Sequence, residues 1–263
     1  MALTPFSKSQ LLPQEEKLEI SKQRSDLFIG IPKESSYQER RICLTPDAVN
    51  TLVSEGHRVM IESGAGLSAS YSDQEFSDAG AEITADTKKV FGCPMLLKIS
   101  PLTLEEFQMV NPETIVISAI QLKTRNKDYF EALTKKKITA LAFEYIKDED
   151  GTYPAVKSLS EIAGIASVLI ASELMINNQF GKGLLFGNIT GVPPTEVVIL
   201  GAGTVGEFAA KSALGLGASV KVFDNSITKL RRLQNNLNQS IFTSTIQQKA
   251  LLKALRRCDV AIG

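Results

Sequence analysis

The stretch VVILGAGTVGEFAA, residues 197 to 210, followed by GASVKVFD ending at Asp224, limits what this chain can fold into more than any other. It reads as a strand, a glycine turn, a helix and a second strand closed by an acid. Gly201, Gly203 and Gly206 stand in G-x-G-x-x-G spacing, which permits a tight turn, close backbone approach to a pyrophosphate and tight helix–strand contact. The helix start that follows offers unsatisfied N–H groups and the positive end of a macrodipole. Asp224 lies 18 residues beyond Gly206, where a carboxylate can accept both ribose hydroxyls and would repel a 2′-phosphate, so NAD(H) is favoured over NADP(H). The spacing alone is weak, because an ordinary tight turn also satisfies it. With a strand before it, a helix after it and the acid in place, residues Gly201, Ala202, Gly203, Thr204, Val205 and Gly206 read as a dinucleotide site.

Composition sets the frame around that turn. A chain of 263 residues with 43% hydrophobic content can bury a large core, and the usual domain size suggests two domains. Basic and acidic residues balance at 29 each, which argues against nucleic acid or an anionic membrane as a whole-surface partner. Cys43, Cys93 and Cys258 are scattered, with neither a metal spacing nor a disulfide framework, and read as three reduced thiols. No apolar run is expected to reach a membrane span of about 18–20 residues, and the N-terminus lacks a signal-peptide core. A soluble, cytoplasmic protein without a metal is expected.

Residues 13–24, with a proline at a plausible first helical position, predict a short surface helix within an N-terminal extension of residues 1–26. From Leu27 onward, strand-like runs (LFIGI, RVMIES, PMLLKI, TIVISAI, ITALAFEYI) alternate with helical patterns. That alternation predicts an α/β domain with a largely parallel sheet over 27–155. Thr45-Pro46 opens its first helix and Gly56 closes it. The turn KDEDGTYP breaks the pattern, and Ser160 with Glu161 is read as a cap for a long apolar helix bridging two domains. A Rossmann-type doubly wound domain is expected over 156–263. It is expected to be C-terminally incomplete, because the usual 3-2-1-4-5-6 order needs two strands beyond the one at DVAIG.

Taken together, IGIPKESSYQERRICLTPDAV, GHRVMIESGAG, LLKIS, SLSEIAG and GVPPTEVVILGAGTVGEFAA resemble the alanine dehydrogenase and pyridine nucleotide transhydrogenase family from Phe28 to Gly263. FDNSITKLRRLQ is closer to the alanine dehydrogenase branch. The resemblance implies an N-terminal substrate domain and an NAD domain flanking a cleft, and a C-terminal segment carrying a catalytic aspartate. A fragment without that segment is expected to be inactive. The resemblance also implies an NAD-dependent interconversion of alanine with pyruvate and ammonia, and a homo-oligomer, commonly a hexamer. Its alternative is the NAD(H)-binding alpha component of a proton-translocating transhydrogenase.

The same resemblance carries the family's substrate-binding arginine onto Arg41, where a planar fork suits the carboxylate of a 2-oxo acid. The plainer alternative is a surface arginine beside Arg40. The family's catalytic lysine falls on Ser100, since LLKIS stands where LLKVK is usual. Lys98 remains on the same strand face and either reaches toward the substrate or keeps a structural place of its own. The family's histidine aligns with Gln121, which can orient a substrate but cannot exchange a proton near neutral pH. His57, the lone histidine, belongs to a turn and reads as structural. On the cofactor side the family positions map onto Ser160, Ala202, Asp224 and Lys229, and a further serine is replaced by Ile246.

Overall fold

A computed structural model describes residues 26–263 apart from 178, 180 and 238, so the helix expected over 13–24 lies outside the described residues. The chain divides into two compact units at Ala142/Phe143. Residues 143–155, grouped by sequence with the first domain, therefore go with the second.

The first unit is a six-stranded sheet whose pairings are all parallel. Its strands are β1 (Phe28–Ile31), β2 (Arg58–Glu62), β3 (Glu82–Thr84), β4 (Met95–Leu97), β5 (Ile115–Ser118) and β6 (Thr139–Ala142). They lie in the order β3-β2-β1-β4-β5-β6, so the chain starts at the centre and winds outward in both directions. Alternation along β1 sends Ile29 and Ile31 to one face, where they pack with Val49 of α1 (Pro46–Ser54) and Phe76 of α2 (Asp73–Asp78). The other face buries Phe91 of α3 (Thr87–Phe91), Phe107 of α4 (Glu106–Met109), and Tyr129 and Leu133 of α5 (Lys127–Lys135). Helix α1 forms as its sequence predicts. Thr45 accepts the Ala48 N–H, Pro46 is the first helical residue, and Gly56 leaves at φ 92.

The second unit opens with α6 (Pro154–Ile176), 23 residues long. Pro154 starts this helix two turns ahead of Ser160, which with Glu161 lies inside it and does not cap it. Helix α6 is also long and apolar enough to cross a membrane by length and composition, with a mean hydropathy of 1.7. This corrects the expectation that no run reaches that size, which followed from counting uninterrupted apolar residues. Scattered Ser and Glu break the run without breaking the helix. Its Val168 and Met175 are buried in the core of this unit. A Cβ at Gly164 would stand 2.5 Å from the Val205 carbonyl oxygen, so glycine lets α6 lie close on α7 (Thr204–Gly215).

The sheet of this unit has four parallel strands in the order β10-β7-β8-β9. They are β7 (Glu196–Leu200), β8 (Ser219–Phe223), β9 (Phe242–Ser244) and β10 (Val260–Ile262). Val197 and Ile199 of β7 face a core with α6, α7 and α8 (Ile227–Asn236), while Val198 faces α9 (Gln248–Leu255) on the opposite side. This order matches that of the first four strands of the first unit's sheet.

Candidate functional site

The glycine turn follows β7 directly. Gly201 sits at φ 111, which only glycine adopts without strain. A Cβ on Gly206 would strike the Gly201 carbonyl oxygen, so this glycine is needed to close the helix on the turn. Gly203 differs from both. Its φ of −77 suits any residue, and a Cβ there would meet nothing within 4 Å. Neither its backbone angles nor its packing requires glycine at 203, whereas a backbone that must let a ligand approach does. Helix α7 begins at Thr204 with no side-chain cap, leaving the N–H groups of its first turn available to an anion.

Asp224 grips this turn. One of its carboxylate oxygens accepts the Ala202 N–H at 2.7 Å and the other the Ser226 N–H at 2.7 Å. The Ala202 bond, with smaller contributions from Ser226 and Lys229, holds the carboxyl below the usual carboxylate range against the opposing pull of burial. Each oxygen retains a lone pair, so Asp224 can brace the turn and still accept ribose hydroxyls. Arg232 adds a grip from the other side, its Nη2 donating to the Ala202 carbonyl at 3.3 Å. Arg232 is steered by Glu207, a buried acid in the first turn of α7, which accepts from Lys211 at 2.8 Å and from Asn236 at 3.0 Å. A cavity of about 580 Å³ opens beside the start of α7, and Ser160 and Thr204 are both among its lining residues. Asp224, just after β8, and Lys229 of α8 are not among them. An uncapped helix start, a glycine with open space and an anchored acid together fit the pyrophosphate and adenosine ribose of a dinucleotide.

In the first unit the expected substrate residues gather at the C-terminal edge of the sheet. Arg41 lies in the loop between β1 and α1 with its fork on Glu39, Nε donating to Oε1 at 2.8 Å and Nη2 to Oε2 at 2.7 Å. Lys98, just past β4, is 1% exposed and sits between two acids, 2.8 Å from Glu106 and 3.6 Å from Glu34. Glu34 also accepts the N–H groups of Ile99 at 2.6 Å and Ser100 at 3.3 Å, and the Glu39 hydrogen bonds, against the opposing pull of burial, favour the cationic form of Arg41. Lys98 and Ser100 are thus both tied to Glu34, while Arg41 is held by Glu39. Gln121 follows β5 in the left-handed region at φ 54, with its amide oxygen accepting from Arg125 at 2.8 Å. The Ala119 N–H bonds to the Ile99 carbonyl at 3.1 Å, so the segments carrying Ser100 and Gln121 run side by side.

Among the described residues no cluster of metal-ligating side chains occurs. All three cysteines are free, and burial pushes the Cys43 thiol up to about 12 and that of Cys93 to about 11, which keeps them protonated and unreactive. His57 accepts the Leu27 N–H through Nδ1 at 3.3 Å. Glu39, Glu207 and Arg232 were not singled out from sequence. The available signal was an acid two residues before Arg41, and an acid in the first turn of a largely apolar helix.

Family models match the two halves in order. "Alanine dehydrogenase/PNT, N-terminal domain" covers residues 30–163, and the corresponding C-terminal domain covers 167–263. The chain belongs to the alanine dehydrogenase/PNT family. Within this family it is 36% identical over 238 residues to an alanine dehydrogenase of Methanococcus maripaludis, covering 90% of this chain and 64% of that protein. A solved structure of an L-alanine dehydrogenase superposes with a TM-score of 0.83 at 33% identity, covering 90% of this chain and 65% of that one. A transhydrogenase from Sinorhizobium meliloti shares the fold, with a TM-score of 0.71 at 24% identity over 89% of this chain and 68% of that one. The chain therefore spans just under two thirds of the family's alanine dehydrogenases that it matches.

Proposed function

We propose that this chain supplies the substrate and nucleotide units of an NAD(H)-dependent amino acid dehydrogenase that interconverts L-alanine with pyruvate and ammonia. The open space at Gly203 carries the reading, because it accounts for a glycine that the protein's own packing does not require. The first-turn N–H groups of Thr204, Val205 and Gly206 bind the pyrophosphate, Asp224 takes the ribose hydroxyls, and Lys229 and Ser160 flank the cofactor. A carboxylate at 224 selects NAD(H) over NADP(H).

Bound NAD⁺ supplies the hydride acceptor. Arg41 fixes the carboxylate of the amino acid, which orients C2 and its hydrogen. Once the substrate ammonium has given a proton to solvent, loss of hydride from C2 leaves an iminium ion. Water adds to it and returns a further proton to solvent, the C–N bond breaks, and ammonia and the 2-oxo acid are released. Ser100 and Gln121 hold that water through a hydroxyl and an amide, and neither exchanges a proton near neutral pH. Positioned acid–base catalysis contributes about 10²–10⁴-fold, so turnover is expected to be slow unless another part of the full-length protein supplies the proton transfer. Formation of NADH from L-alanine by the full-length protein tests this, and the absence of turnover across a panel of amino acids overturns it.

A second reading, an NAD(H)-binding component like the alpha component of proton-translocating transhydrogenase, is favoured by Ser100, Gln121 and the commitment of Lys98 to Glu106. Such a component needs NADH binding but no amino acid chemistry. NADH binding by a full-length protein inert toward every amino acid would select this reading. We further infer a cytoplasmic homo-oligomer, a hexamer on the family's pattern, which light scattering on the full-length protein checks.

A further inference from the structure

The carboxylate of Glu39 collects three N–H groups of a single residue. Besides the two side-chain bonds, Oε1 accepts the backbone N–H of Arg41 at 3.1 Å. A turn fixes this acid in place: Gln38 just before it stands at φ 60, and the Glu39 N–H bonds to the Ser36 carbonyl at 3.1 Å. Glu39 is the covered partner and Arg41 the open one, at 13% and 49% side-chain exposure. A freely solvated surface pair would expose both.

A guanidinium carries five N–H donors in one plane. Glu39 engages Nε and one hydrogen of Nη2, which is the side edge of the fork. The terminal edge, with one hydrogen on each Nη, forms a second pair of parallel donors with the spacing of a carboxylate. We propose that Glu39 is a positioning residue for substrate: it clamps the side edge of Arg41 and aims the terminal edge at the carboxylate of the amino or 2-oxo acid. A clamped arginine loses less freedom when the ligand arrives, so the acid raises affinity although its charge opposes that of the substrate. This inference rests on Arg41 being the substrate anchor.

The test titrates the full-length protein, saturated with NADH, with pyruvate by calorimetry, and separately measures NADH affinity for each variant. Glu39→Gln is expected to weaken pyruvate about tenfold, the effect of one charge-assisted hydrogen bond, with NADH affinity unchanged. Glu39→Asp keeps the charge and is expected to recover to within about threefold of the parent. Unchanged or tighter pyruvate binding in Glu39→Gln overturns the proposal, the tighter outcome marking Glu39 as a competitor for the fork. Parallel loss of NADH binding marks a folding role and also overturns it. Arg41→Ala separates the two levels: if it leaves pyruvate binding intact, or if the parent binds no pyruvate, the anchor reading falls and the role of Glu39 falls with it.

Discussion

In the first unit the central strand β1 ends at Ile31 and the loop 32–45 intervenes before α1; in the second, β7 ends at Leu200 and α7 begins after the three residues 201–203. Both strands hold the same place in their sheets. Each is the point where the winding reverses, flanked by the next strand on one side and the fourth on the other. The long loop carries Glu34, Glu39 and Arg41, charged side chains held by hydrogen bonds and ion pairs. The short turn carries glycines and presents backbone N–H groups. One topology thus yields two kinds of candidate site, and the length and composition of a single connection decide which.

The comparison breaks most visibly where side chains carry the structure. Lys98 neutralises two buried acids, and removing one partner of such a buried set typically costs about 3–5 kcal/mol. Lys98→Met is therefore expected to loosen β4 and its neighbours by that amount while leaving the second unit intact. Hydrogen exchange on the full-length protein checks this, since faster exchange should appear at β1 and β4 and be absent at β7 and β8. Equal protection in all four strands would show that the charged network is dispensable.

The backbone site separates into two glycines with opposite expectations. Gly206→Ala puts a methyl group onto the Gly201 carbonyl, and such overpacking costs about 1–3 kcal/mol, seen as a lower melting temperature. Gly203→Ala places its methyl in open space, so stability should stay within about 0.5 kcal/mol of the parent. NADH affinity should nonetheless fall at least about tenfold, because a close approach is blocked. If Gly203→Ala bound NADH normally, the turn would be a structural feature alone.

This division also explains what the sequence made legible. Most strands lie within runs whose composition announces them, whereas the three-residue β3 (Glu82–Thr84) is too short to do so, and Thr45-Pro46 and the strand–turn–helix at the glycines form as predicted because their partners are a few residues away. The start of α6 was missed because Pro154 and Ser160 are competing start signals, and only packing chooses between them. The network of Glu34, Lys98 and Glu106, and the Arg232 bond to Ala202, join residues up to 64 positions apart. No period or spacing encodes such pairings, so the chemistry of the first unit stayed less readable than the backbone site of the second.

Asp224 tests how far the backbone site depends on a side chain after all. Its carboxyl is held below the usual range, so the two bonds to the turn are fully present above the unfolded value of about 3.9 and are lost as pH falls through the lower folded value. At neutral pH, Asp224→Asn removes the charge and is expected to weaken NADH about tenfold while narrowing the preference over NADPH. The smallest effect belongs to Arg232. Its bond to the Ala202 carbonyl is long at 3.3 Å and the Arg232 side chain is half exposed, so it contributes at the low end for a hydrogen bond, about 0.5–1 kcal/mol. Arg232→Ala should therefore weaken NADH about two- to fivefold, as read by fluorescence titration. A loss as large as that of Asp224→Asn would mean that the turn is held by side chains on both sides, and the contrast between the two units would narrow to a difference of degree.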